Sequence, residues 1–184
     1  LAAWLARNEP ALLEWLDVSE TEAAALRERF PVKALAPYRS HAVGTLRVEP
    51  VLSAHETLRG GETAQSYLLP LPGGALVLYA CDTGWYPEPT WEYLRGRRAD
   101  VLIMEATFGG RTDRPDRPHG HLDCRSYALV AEEMARIGFV GSSTRLYATH
   151  LNPHQGLDHE GLQAWFDSRG LAVTVAWDGL AVEA

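Results

Sequence analysis

From about residue 75 the sequence alternates short apolar runs with helix-period segments, and a polar residue closes most of the apolar runs. Residues 75–81, 100–105, 144–149 and 171–177 read as strands. Residues 87–97, 123–137 and 158–168 read as the helices between them. Strands joined by helices of this length specify an α/β layer architecture. Ahead of this region, 32–38, 43–52 and 65–70 are alternating and β-branched enough to predict further strands, with turns at Gly60-Gly61 and Pro72-Gly73-Gly74. Residues 1–30 carry Trp4, Leu5, Leu12, Leu13, Trp15, Leu16, Leu26 and Phe30 at helical intervals, interrupted by Pro10. Ser19 followed by Glu22 predicts a capping box for a second helix running through Arg29.

With 184 residues, 46% of them hydrophobic, the chain has enough apolar surface for one real core. Its 17 basic and 24 acidic residues leave a net charge of −7, which argues against broad attraction to nucleic acid or to anionic membrane. No apolar run approaches the roughly 20 residues that cross a bilayer, so a soluble chain is expected. Cys81 and Cys124 form neither a disulfide framework nor a zinc knuckle, which points to a reducing, cytoplasmic setting.

Three polar residues stand where apolar runs end: His55 after Val51-Leu52, Asp82 after Leu76–Ala80, and His150 after 146–148. Open α/β sheets bind ligands at strand ends, and imidazole nitrogen with carboxylate oxygen suits a borderline cation such as zinc. Taken singly, each has a plain structural reading: a packed or solvated histidine, or an Asx-turn at Cys81-Asp82-Thr83-Gly84. Arg111, Arg114 and Arg117 recur at every third residue of the loop 109–120, and guanidinium forks match phosphate oxygens. Asp113 and Asp116 alternate with them, so a self-neutralised surface loop is the simpler reading. Arg95, Arg97 and Arg98 suit the end of a helix without any ligand. Trp85-Tyr86 fits a pocket wall or packing equally well.

Five phrases in order, Leu78-Tyr79-Ala80-Cys81-Asp82-Thr83-Gly84, Asp100 through Phe108 with its Glu105-Ala106-Thr107, Gly120-His121-Leu122, Tyr147-Ala148-Thr149-His150 and Trp177-Asp178-Gly179, resemble the second half of the metallo-β-lactamase superfamily. The likeness covers residues 43–184. It is greatest to the phosphodiesterase branch that includes phosphoribosyl cyclic phosphate phosphodiesterase, and next to RNase Z. The resemblance implies an αβ/βα sandwich with a dinuclear metal site at one edge, holding zinc or, in its place, manganese. By motif order it implies His55 and His150 as histidine ligands, Asp82 as the bridging carboxylate, and His121 as a catalytic histidine outside the ligand set. It also implies Glu105 as the carboxylate that orients His121.

The family's His-x-His-x-Asp-His turn should precede His55, and residues 1–54 contain only His41. Leu1 in place of Met, within a helical pattern, favours the carboxy-terminal portion of a longer protein over a degenerate member. The expected organisation is therefore one metallo-β-lactamase-like domain over 1–184 without its N-terminal strands, 1–30 being helical and 43–184 carrying the motifs. Pro153 stands where phosphodiesterase relatives carry a second histidine, and His154 follows it.

The expected function is metal-dependent hydrolysis of a small phosphodiester or cyclic phosphate through metal-activated hydroxide, with His121 donating the leaving group's proton. One alternative is an RNase Z-like tRNA endonuclease. The short interval between His55 and Asp82 leaves no room for a tRNA-holding arm, and acidic net charge also disfavours nucleic acid as a partner. The other alternative is a non-catalytic, truncated or degenerate chain that pairs with a copy of itself, as a homodimer, or with a partner. No membrane partner is expected.

Overall fold

The computed structural model describes residues 19–29, 35–57, 63–152, 154 and 156–183. The chain divides into two compact units, Leu1–Ala36 and Pro37–Ala184. Within the first, α1 (Glu20–Arg29) begins directly after Ser19, where the capping pattern places its start. The expected helix before it, residues 32–34 and the Gly60-Gly61 turn lie outside the described residues; of the strand expected over 32–38, residues 35–38 are instead irregular chain and turn, with Pro37 unable to donate to a ladder.

The second unit is built on a seven-stranded sheet in sequential order: β1 (His41–Val43), β2 (Leu46–Leu52), β3 (Gln65–Pro70), β4 (Leu76–Ala80), β5 (Val101–Glu105), β6 (Arg145–Thr149) and β7 (Val173–Val175). The first four strands pair antiparallel, and β4 to β7 pair parallel. Helices α2 (Glu88–Leu94), α3 (Cys124–Arg136) and α4 (His159–Asp167) make the parallel crossovers. The run 43–52, expected as one strand, is a hairpin bent at Gly44, whose φ of 61° lies in the left-handed region that glycine enters at little cost.

Crossovers of one hand between sequential parallel strands send their helices to one face of the sheet, and burial follows that rule. Leu78, Ala80, Leu102, Met104 and Ala148 are fully buried in the core with Tyr127, Val130, Met134, Phe139 and Phe166. On the alternate positions Tyr67, Tyr79, Ile103 and Tyr147 stand side by side in register, and Tyr79 is 43% exposed. Trp85 and Tyr86 resolve to packing: Tyr86 is buried with its hydroxyl on Ser66 Oγ, and both rings lie against Trp91.

Two caps fix where the crossover helices begin. Asp123 Oδ1 accepts from Ser126 N at 2.8 Å while Ser126 Oγ accepts from Asp123 N at 2.9 Å, a reciprocal box at the head of α3. Asp158 Oδ1 accepts from Gly161 N at 2.8 Å at the head of α4. Caps of this kind contribute about 1 kcal/mol each. The first also fixes the chain two residues after His121. Among the described residues no helix is long and apolar enough to cross a membrane.

Candidate metal centre

Three loops meet at Gly84. Ala54 N donates to Thr83 O (2.8 Å), Gly120 N to Ala54 O (2.7 Å) and Trp85 N to Pro118 O (2.8 Å). A Cβ on Gly84 would lie 2.4 Å from Ala54 O, 2.8 Å from Gly120 O and 2.9 Å from Pro118 O, so only glycine lets the three backbones approach this closely. His55 follows Ala54, Asp82 precedes Thr83 and His121 follows Gly120. The backbone clamp therefore brings together three side chains far apart in sequence.

At this edge Asp82 Oδ1 lies 4.0 Å from His55 Nε2, 3.6 Å from His121 Nδ1 and 3.7 Å from His150 Nε2. His121 stacks on His150, with ring centroids 5.4 Å apart, and meets His55 edge-on at 4.5 Å. Two sets of potential ligand atoms result, His55–Asp82–His121 and Glu105–His121–His150. Asp82 and His150 have φ values of 51° and 54°, a region that costs a side-chain-bearing residue about 1 kcal/mol or more. Tyr38 is the third such residue among those described. That backbone strain falls on two of the three residues expected as ligands.

Beneath the histidines sits Glu105, fully buried at the end of β5. Its Oε1 accepts from Thr83 N (2.9 Å). Its Oε2 accepts from Leu122 N (3.3 Å), Thr107 N (3.4 Å) and the Thr107 hydroxyl, and lies 3.0 Å from His121 Nδ1. A buried carboxyl without such partners would cost several kcal/mol; here every neighbour is a donor. Burial pushes the thiol of Cys81, next to Asp82, upward, the carboxylates of Asp82 and Glu105 adding to the rise. Without a bound cation Cys81 is therefore a thiol at neutral pH.

Counting protons shows what the donor set can hold. His55 Nδ1 lies 2.6 Å from Glu56 O, an acceptor only, so that nitrogen carries its proton. His121 Nδ1 faces Glu105 in the same way. In neutral rings both Nε2 atoms are then bare, yet they lie 3.2 Å apart. Two lone pairs hold that separation only with a shared proton or a cation between or beside them. Zinc–nitrogen bonds of about 2.0–2.1 Å ask for ligand atoms roughly 3.3 Å apart, and the spacings of 3.6, 3.7 and 4.0 Å around Asp82 Oδ1 exceed this by about 0.3–0.7 Å, within reach of side-chain adjustment. The residues present fit a divalent cation.

Beside the histidines opens a cleft of about 310 Å³ lined by His55, Glu56, Phe108, Arg114, His119, Gly120 and His121. Of the three loop arginines, Arg111 pairs with Asp113 at the surface. Arg117 lies over the Trp85 ring. Arg114 turns inward, its guanidinium 3.7 Å over the Phe108 ring and its NH2 donating to His121 O at 2.9 Å. Arg95 pairs with Glu92, Arg97 with Glu49, and Arg98 donates to Ser143 Oγ, all away from the cleft. His154 is exposed, its N–H on Asn152 Oδ1.

Against known proteins, no family profile and no curated sequence matches the chain. Solved structures do match. The metallo-β-lactamase fold protein YhfI from Bacillus subtilis is 23% identical with a TM-score of 0.59, the match covering 82% of this chain and 55% of that one. Zn²⁺-bound PqqB from Methylobacterium extorquens is 19% identical with a TM-score of 0.53, over 83% of this chain and 55% of that one. A diphosphatase from the PhnP family is 19% identical with a TM-score of 0.50, over 89% and 55%. Pro37–Ala184 therefore has the α/β architecture of the metallo-β-lactamase fold. The chain spans about half the length of the solved structures it matches.

Proposed function

We propose that this chain serves a metal-dependent hydrolase acting on small phosphodiesters or cyclic phosphates. The observation that carries the reading is the gathering of His55, His121 and His150 nitrogens within 4.0 Å of one carboxylate oxygen of Asp82, over a buried Glu105. In this reading His55 Nε2 and His150 Nε2 would hold the two cations of a dinuclear site with Asp82 Oδ1 between them, the two histidines falling in separate ligand sets. When bound, a cation of this kind activates water near neutral pH and neutralises charge growing on phosphoryl oxygens. The zinc in PqqB supports the metal, and the diphosphatase from the PhnP family supports hydrolysis at phosphorus.

His121 is the proton donor in this reading. Glu105 accepts its Nδ1 proton, which holds the ring with Nε2 toward the cleft and His55. As the imidazolium, His121 carries a second proton on Nε2, which it passes to a leaving alkoxide to leave the neutral ring with its Nδ1–H on Glu105. Arg114, beside the same cleft, supplies a guanidinium for the substrate's anionic oxygens. A cleft of about 310 Å³ has the size of a small-molecule site.

The test is zinc-supplemented hydrolysis of bis(p-nitrophenyl) phosphate and a ribose cyclic phosphate. Expected are slow turnover abolished by chelator and a roughly 10²- to 10⁴-fold lower kcat in His121→Ala, with zinc content unchanged. Turnover insensitive to chelator, or none with either phosphodiester, overturns the reading. Loss of zinc in His121→Ala would make that residue a ligand.

A further inference from the structure

Thr107 lies two residues beyond Glu105 and is 7% exposed, yet its hydroxyl touches three members of the site. Its backbone is fixed from both sides: Asn152 N donates to Thr107 O at 3.1 Å, and Ala106 N donates to Thr149 O at 3.0 Å. These bonds tie the turn after β5 to the turn after β6, which carries His150. A threonine hydroxyl has one proton to give and two lone pairs to receive. The proton goes to Glu105 Oε2, which can only accept in this surrounding. The lone pairs face His150 Nδ1 at 2.8 Å and His121 Nδ1 at 3.2 Å.

We infer that Thr107 is a positioning residue that fixes the tautomer of His150, leaving its Nε2 bare toward Asp82, and joins the ligand side of the site to the Glu105–His121 pair. With its only proton committed to Glu105, the Thr107 oxygen must accept from His150, so Nδ1 carries the ring proton. Nε2, 3.7 Å from Asp82 Oδ1, is then the free donor atom. A free imidazole has no such preference imposed on it. Without the hydroxyl, the ring can protonate at Nε2 and turn a hydrogen toward the cation site. Outer partners of this kind set ligand orientation and typically change metal affinity by about 10- to 100-fold when removed. The inference rests on the metal-dependent reading for its functional meaning, while the tautomer itself is a property of the metal-free chain.

The experiment compares wild type, Thr107→Val, which keeps shape and loses the hydroxyl, and Thr107→Ser, which restores it. Long-range ¹H–¹⁵N NMR of the His150 ring, at a pH where the imidazoles are neutral and without metal, reads the tautomer directly. Zinc affinity is read by competition with a chromophoric chelator, and far-UV circular dichroism with urea unfolding establishes that each variant folds. Wild type and Thr107→Ser should show His150 protonated at Nδ1, with zinc affinities within about threefold of each other. Thr107→Val should shift His150 toward the Nε2-protonated form and weaken zinc by about 10- to 100-fold. An unchanged tautomer and unchanged affinity in folded Thr107→Val overturn the inference. So does failure of Thr107→Ser to restore both, which also decides the matter should the valine variant not fold. A wild-type chain that binds no zinc while showing the expected tautomer shift sinks the metal reading and leaves the role of Thr107 in setting the ring standing.

Discussion

Around Gly84 three loops are tied to one another through their backbones, one of them at Pro118 and Gly120, whereas the arginines earlier in that same loop, Arg111, Arg114 and Arg117, are held by side chains. The first arrangement leaves no slack: a methyl group on Gly84 would lie inside the contact distance of three carbonyl oxygens. The second is mostly solvent-facing, and in it two of the three guanidiniums find a carboxylate or an aromatic ring outside the cleft. The residues suited to chemistry, His55, Asp82 and His121, hang from the rigid part. A site that must keep nitrogen and oxygen atoms in place to a few tenths of an ångström needs such a support, and surface ion pairs cannot give it.

Gly84→Ala should have the largest effect, since backbone carbonyls cannot move aside as a flexible side chain does. The expected outcome is a loss of at least about 2 kcal/mol in urea unfolding together with a fall of tenfold or more in zinc affinity. Wild-type stability with intact zinc binding would show that the clamp does not hold the site. The arginines sharpen the contrast from the other side. Arg114→Ala should raise KM for a small phosphodiester about tenfold, the equivalent of one lost charge-assisted contact, with little change in kcat. The smallest effect belongs to Arg111→Ala, whose exposed partnership with Asp113 should leave urea unfolding unchanged and whose KM should stay within about twofold. Equal KM effects from the two arginines would erase the distinction between them.

Much of this was legible in the sequence because the signals are local. The strand at 65–70 and the helices headed by Asp123 and Asp158 follow from periodicity and capping residues that act over a few positions. His55, Asp82, Glu105, His121 and His150 could be singled out because each closes a strand or stands in a family-like phrase, and the structure brings all five to one edge. The hairpin at 41–52 was hidden: Gly44 interrupts a β-branched run without altering its alternation, and only its positive φ reveals the bend.

Three-dimensional proton sharing was hidden as well. Thr107 reads as an ordinary β-former after a strand, and nothing in its neighbours shows that its hydroxyl meets histidines 14 and 43 positions away. Arg111, Arg114 and Arg117 are equivalent in sequence; Arg111 and Arg114 both lie over Phe108, and the bond from Arg114 to His121 O is what sets that one beside the cleft.

The central claim is that Asp82, between His55 and His150, makes a place for a divalent cation. Calorimetric titration of zinc into the 184-residue chain and into Asp82→Ala tests it most directly. Saturable binding by the first, weakened by two orders of magnitude or more in the second while the fold is retained, is the predicted result. Equal binding by both chains, or none by either, would contradict it.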